Sequence, residues 1–172
     1  MAKVSIIGTG TWGIALGMVL AQNGHEVTAW SALPKEIEAL RESYKCKNLP
    51  GVEIPRSIVF TADLQEACTD KEMLVLSVPS VFTRGVAKQM NPFVKEGQLI
   101  VSVAKGIEEK TLMTMSQQIE EELPMANVAV LSGPSHAEEV SRGMEQRTDR
   151  QLSTSKICLC HLSFVYIQAL IY

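Results

Sequence analysis

Apolar positions along the chain switch repeatedly between the two-residue repeat of a strand and the three-to-four-residue repeat of a helix. Lys3–Ile7 reads as a short β-branched strand ended by Gly8. Thr11–Gln22 then carries Trp12, Ala15, Leu16, Val19 and Leu20 at helical spacing, and Asn23 with Gly24 stops it. Glu26–Trp30 predicts a second strand and Pro34–Tyr44 a polar-faced helix, opened by a proline in its first turn. Residues 45–57 hold two prolines and a glycine and read as a loop. A brief strand over Ile58–Phe60 and a short helix over Asp63–Cys68 follow. Met73–Val78 (MLVLSV) is nearly all apolar and lies between Asp70 and Pro79, as a central parallel strand covered on both faces would. Phe82–Met90 predicts a helix, Gln98–Val103 a buried strand, Thr111–Leu123 an acidic amphipathic helix and Asn127–Leu131 a last strand, ended by Ser132, Gly133 and Pro134. Six strands alternating with helices predict an α/β fold with a doubly wound parallel sheet.

After Gly143 the texture changes. Residues 144–156 are polar, and residues 157–172 form an apolar run containing Cys158, Cys160, His161 and Gln168 that follows neither period. That run is shorter than the ~18 residues of a membrane span. The expected organisation is a nucleotide-binding domain over residues 1–143 and an unmatched tail over residues 144–172.

Composition narrows the function classes. Of 172 residues, 46% are hydrophobic and 20% charged, enough apolar surface for a packed core, and the net charge of −3 argues against a duplex nucleic-acid binder. Cys46, Cys68, Cys158 and Cys160 match no zinc or redox spacing and read as reduced thiols. With glycines where a signal peptide needs an apolar stretch, the expected location is cytoplasmic, with no membrane and no nucleic acid as partner.

The chemistry-bearing residues cluster where strands end. GTGTWG at Gly8–Gly13 is a G-x-G-x-x-G fingerprint placed after the first strand and opening the first helix. Gly8 allows the tight turn, Gly10 lets the backbone approach a pyrophosphate, and Gly13 lets helix and strand pack closely. The helix N-terminus then offers N–H groups to phosphates, so a Rossmann-type domain for NAD or NADP is expected. An NAD-specific site usually places a carboxylate at the tip of the second strand. This chain has Trp30, Ser31, Ala32 and Leu33 there, with Ser31 able to donate to a 2′-phosphate and Lys35 close by, so coenzyme choice stays open and little preference is expected.

Pro79, after the fourth strand, can shape the wall beside a nicotinamide or simply stop the strand. Lys105, with Gly106 behind it, can meet a phosphate or polarise a carbonyl, or be a solvated surface lysine. Ser135 and Glu138 have capping-box spacing, and His136 is either a base or a structural hydrogen-bonder at a helix start.

Together these segments resemble the bacterial NAD(P)-dependent glycerol-3-phosphate dehydrogenases. The matching residues are GTGTWGIALG at Gly8–Gly17, NGHEVTAW at Asn23–Trp30, SVPS at Ser77–Ser80, AKGIE at Ala104–Glu108 and LSGPSHAEEV at Leu131–Val140. The resemblance implies that Thr11, Trp12, Lys105 and Ala137 contact the coenzyme. It also implies that Lys105, Gly133 and Ser135 contact glycerol 3-phosphate, with Lys105 in a supporting catalytic role. Family members continue into an all-helical domain with the principal catalytic lysine and a phosphate-binding arginine, and are usually homodimers. Nothing after Gly143 matches that domain, and Met144 to Arg147 stand where the family usually has Pro-Thr, an abrupt join of the kind a frameshift produces.

The expected function is therefore NAD(P)H-dependent reduction of dihydroxyacetone phosphate to sn-glycerol 3-phosphate for phospholipid synthesis. The rival is a non-catalytic NAD(P)-binding fragment. A ketoacid or nucleotide-sugar dehydrogenase is disfavoured by the LSGPSHAEE block.

Overall fold

The computed structural model describes residues 1–131, 137–141 and 150–152. Strands β1 (Lys3–Ile7), β2 (Glu26–Trp30), β3 (Val59–Thr61), β4 (Met73–Leu76), β5 (Leu99–Ser102) and β6 (Asn127–Leu131) pair in parallel. Helices α1 (Thr11–Gln22), α2 (Pro34–Ser43), α3 (Leu64–Cys68), α4 (Thr83–Met90), α5 (Met115–Glu122) and α6 (Ala137–Ser141) fall between or after them. The strand order is β3-β2-β1-β4-β5-β6, extended at the last edge by β7 (Arg150–Leu152), antiparallel to β6. Six parallel strands in a doubly wound sheet were expected; the seventh comes from the polar segment after Gly143, where no alternation announces a strand.

The sheet separates two cores by the period-two rule. Val4, Ile6, Val75 and Val101 point to the side of Leu16, Leu20, Ile37 and Phe60. Ile7, Leu74, Leu76 and Ile100 point to the side of Ala87, Met90 and Ile119. All four residues of β4 are buried, as expected of a central strand covered on both faces. Helix α1 is buried around most of its circumference, including Ile14, Gly17 and Met18, while Trp12 and Val19 are only half-buried. It lies between the sheet and α6, so its sequence shows no single wet face.

Two predicted helices start later than the pattern suggests. Residues Ser80–Phe82 form a 3₁₀ turn before α4, leaving Phe82 exposed. The acidic helix expected from Thr111 begins at Met115, because Leu112 adopts a left-handed backbone (φ 60°) and Ile107 bridges to Thr114. Thr114 then caps the helix reciprocally with Gln117.

The strand order reverses between β1 and β4, the two strands flanking the switch point at which such sheets bind ligands beyond their carboxyl ends. Gly8 and Ser77 sit there.

Candidate functional site

The turn after β1 has no room for side chains. Gly8 has φ +118°, and a Cβ there would stand 2.9 Å from the Val78 nitrogen. A Cβ at Gly13 would stand 2.1 Å from the Gly8 carbonyl oxygen and 2.5 Å from Ser77 Oγ. Ser77 locks the junction: its Oγ donates to the Gly8 carbonyl at 2.7 Å and its N–H to the Ile7 carbonyl at 2.9 Å. Gly10 is the opposite case. Its φ of −61° suits any residue, and a Cβ there would meet nothing within 4 Å. Gly8 and Gly13 are thus glycines for packing, and Gly10 is the glycine that borders open space.

Helix α1 starts at that space without help. Gly10 provides no side-chain cap, and no acidic residue lies in the first turn. Ile14 N–H returns to the Gly10 carbonyl, whereas the N–H groups of Thr11, Trp12 and Gly13 precede the first intrahelical bond. By contrast α3 is capped by Asp63, which accepts from the Gln65 and Glu66 N–H groups, and α5 by Thr114. The buried Thr9 hydroxyl in the same turn has no partner among the described residues. Open space at Gly10, helix N–H groups with no intrahelical partner and a hydroxyl without a partner among the described residues are the features a pyrophosphate would satisfy.

A cleft of about 540 Å³ opens beside this turn. Gly8–Gly10 form one wall, Trp30–Leu33 with Glu36 a second, and Ser77–Pro79 with Val81, Phe82 and Val86 a third. Trp30 is buried, its indole N–H donating to the Ala62 carbonyl at 3.2 Å. Leu33, Val81 and Phe82 are exposed apolar side chains at the mouth.

Four of the sequence-predicted residues therefore meet in one place: Gly8, Gly10, Ser31 and Pro79. Thr11, Trp12 and Gly13 belong to the start of α1 just beyond the lining. Trp12 and Ala137 pack against the same hydrophobic cluster, α6 lying along α1. Gly133, Ser135 and His136 lie outside the described residues, as do Cys158 and Cys160. Ser31 does something other than expected. Its Oγ donates to Glu36 Oε2 at 2.6 Å and accepts the Leu33 N–H at 3.2 Å, so its proton is already committed to a carboxylate rather than available to a phosphate.

Lys105 is exposed on the loop after β5, and that loop lies against the turn after β4: Gly106 has φ +136°, and a Cβ on it would be 3.3 Å from Ser80 Cβ. A clasp the sequence did not reveal holds this loop. Arg84 on α4 donates through Nε and Nη2 to both oxygens of Glu108, each at 2.9 Å, and through Nη1 to Glu121 at 2.6 Å and Glu122 at 2.9 Å on α5. Thr111 Oγ1 also donates to Glu108. The Arg84 hydrogen bonds, with that of Thr111, draw the Glu108 carboxyl down to about 2, and those of the three carboxylates raise the Arg84 guanidinium. Glu108 sits in the AKGIE segment, which was its one visible signal; Arg84 had none.

The family profile described as NAD-dependent glycerol-3-phosphate dehydrogenase N-terminus matches residues 3–152. This chain belongs to that family. It is 59% identical over 143 residues to the glycerol-3-phosphate dehydrogenase [NAD(P)+] of Agathobacter rectalis, covering 83% of this chain and 43% of that protein. The enzyme of the same name from Fusobacterium nucleatum is 51% identical over 147 residues, covering 84% of this chain and 44% of its own length. The crystal structure of glycerol-3-phosphate dehydrogenase from Coxiella burnetii superposes with a TM-score of 0.85 at 25% identity, over 98% of this chain and 50% of that one. The chain thus spans less than half the length of the curated relatives it matches. The family match runs as far as β7.

Proposed function

We propose that this chain holds the coenzyme in an NAD(P)-dependent oxidoreductase that reduces dihydroxyacetone phosphate to sn-glycerol 3-phosphate, in the cytoplasm and for phospholipid synthesis. The observation that carries the reading is the uncapped start of α1 facing open space at Gly10, at the switch point of the sheet. When bound, the nicotinamide coenzyme supplies the hydride. The residues of this chain hold and orient it. The N–H groups at Thr11–Gly13 receive the pyrophosphate, Ser31 and Glu36 border the adenosine end, and Pro79 shapes the wall toward the nicotinamide.

Lys105 is proposed to bind the substrate phosphate or carbonyl, supported by the loop's position beside Ser80 and by the Arg84 clasp. Gly133, Ser135 and Ala137 complete the substrate edge and the coenzyme contacts in this reading. Residues 1–143 form the coenzyme domain, and β7 adds to its edge from the segment 144–172. Among the described residues no helix is long and apolar enough to cross a membrane, and Cys46 and Cys68 are free thiols, which supports a reducing compartment. A homodimer is proposed from the family resemblance alone.

Reduction of a ketone develops negative charge on its oxygen, which needs a proton donor and cationic stabilisation held in place. Lys105 offers one cation from one side of the crevice. Positioning from the opposite wall is worth ~7–11 kcal/mol in such reactions. A polypeptide of these 172 residues assayed alone is therefore expected to bind NADH but to oxidise it with dihydroxyacetone phosphate far below about 10 s⁻¹. Binding without turnover supports the reading. Absence of binding by the folded chain overturns it, and turnover near that value shows that the residues present complete the site.

A further inference from the structure

The tip of β2 carries no carboxylate in the sequence, yet the fold delivers one there from the next helix. Pro34 at the start of α2 sets the direction of the chain, and the first-turn residue Glu36 folds back onto Ser31, the residue directly after β2. Ser31 is buried, so the anchoring hydroxyl is fixed. Glu36 is half-buried and is the one charged residue in the cleft lining among the described residues. Lys35 beside it is exposed and lies outside that lining, and among the described residues Glu36 has no salt-bridge partner.

The same turn is built a second time next door. At the end of β3, Thr61 Oγ1 donates to Glu66 Oε2 at 2.5 Å and accepts the Asp63 N–H at 3.0 Å, with the same offsets along the chain. This arrangement thus serves to start the helix after two of the strands, β2 and β3. The two copies differ in whether their glutamate borders the cleft. Glu36 lines the cleft with Gly8 and Gly10, and Glu66 does not.

We infer that Glu36, positioned by Ser31, selects the coenzyme by accepting a hydrogen bond from the adenosine ribose 2′-hydroxyl and repelling a 2′-phosphate, so that this chain prefers NAD to NADP. The inference rests on the coenzyme reading of the cleft. An ionised carboxylate is acceptor-only, so it suits a hydroxyl donor and opposes a phosphomonoester, which brings acceptors and negative charge. Ser31 cannot compensate, because its proton is given to Glu36. The open choice expected from the sequence becomes a definite preference.

The test is fluorescence titration of the full chain with NADH and with NADPH, for the parent, Glu36→Gln, Glu66→Gln and Ser31→Ala, each checked for folding by circular dichroism. NADH is expected to bind about ten- to a hundredfold more tightly than NADPH to the parent. Glu36→Gln should bring that ratio near unity and Ser31→Ala should lower it, while Glu66→Gln leaves it unchanged despite breaking the sister turn. Equal affinities for the parent overturn the inference, as does a ratio that Glu36→Gln and Glu66→Gln shift alike. The parent's ratio decides even if Glu36→Gln does not fold. If the folded parent binds neither coenzyme, the coenzyme reading itself falls, and the selector with it.

Discussion

The sheet has a cleft at each end, and the two are built on opposite principles. Beyond the carboxyl ends of the strands lies the cleft of about 540 Å³ walled by Gly8–Gly10, Trp30–Leu33 and Ser77–Pro79, with one charged residue among its described lining. At the amino ends lies a hollow of about 430 Å³ bordered by Lys3, His25, Glu26, Asp70 and Lys71. The second is far richer in charge. Some of its groups nonetheless have protein partners: Lys3 pairs with Asp70 at 3.5 Å, and His25 Nδ1 accepts the Ala2 N–H at 3.2 Å. The first carries little charge but leaves helix N–H groups and a threonine hydroxyl without protein partners among the described residues. A cleft announces a ligand by unmet hydrogen-bonding capacity at a fixed backbone, more than by its count of charged side chains.

The sharpest break of this comparison is at two glycines three residues apart. Gly13→Ala places a Cβ against the Gly8 carbonyl, where backbone has to move, and should destabilise the fold by about 3 kcal/mol in denaturant unfolding. Gly10→Val should leave folding close to the parent's, since its Cβ enters open space at an ordinary φ, and yet abolish coenzyme binding by occupying the pyrophosphate's place. A Gly10→Val chain that folds and binds like the parent would remove the phosphate-cradle reading.

Acid should separate the two ends next. His25 titrates below its ordinary value of 6.5, chiefly through burial and then through the N-terminal ammonium, with Glu72 opposing. A base depressed on folding takes up more protons when unfolded, so its contribution is intact above 6.5 and declines as pH falls below it. The Glu108 carboxyl, drawn by Arg84 from 4.5 to about 2, has the same sign in a lower window: its contribution is intact above 4.5 and is lost toward 2. Thermal melts should therefore show a first decline below pH 6.5 that His25→Ala removes and a second below 4.5 that Arg84→Met removes. A single decline untouched by either change would contradict both assignments.

Most of the sheet was legible because its strands are short, apolar and β-branched: Met73–Leu76, nearly all apolar, read as a central strand, and Lys3–Ile7 as a strand ended by Gly8. The tight turn at Gly8 and the close packing at Gly13 were legible because both are steric, and Gly10 borders the open space its spacing called for. Three features escaped. β7 pairs from a segment with no alternation, its place set by the edge of β6 rather than by its own pattern. Glu36 reaches the β2 tip through a turn whose residues are individually ordinary, and a carboxylate sought only on the strand is missed. Arg84 meets Glu108, Glu121 and Glu122 across 24 to 38 residues of chain, a distance over which no local spacing speaks. The capping box at Thr114 was visible as Thr-x-x-Gln, and would have placed the start of α5 correctly against the longer amphipathic run.

The smallest effect belongs to the charged end. Lys3 and Asp70 are well exposed, so Lys3→Ala should change stability by no more than about 0.5 kcal/mol and leave NADH affinity at the parent's value. A loss of coenzyme affinity on that change would mean that the wrong cleft has been assigned.

The most direct measurement is an amide-resolved NMR titration of the chain with NADH. The account predicts the largest shifts at Thr9–Gly13, at Ser31 to Glu36 and at Ser77 and Val78, with the amides of Lys3, His25, Asp70 and Lys71 unmoved. Shifts confined to those four amides, or saturable binding that leaves the Gly10 region unchanged, would contradict it.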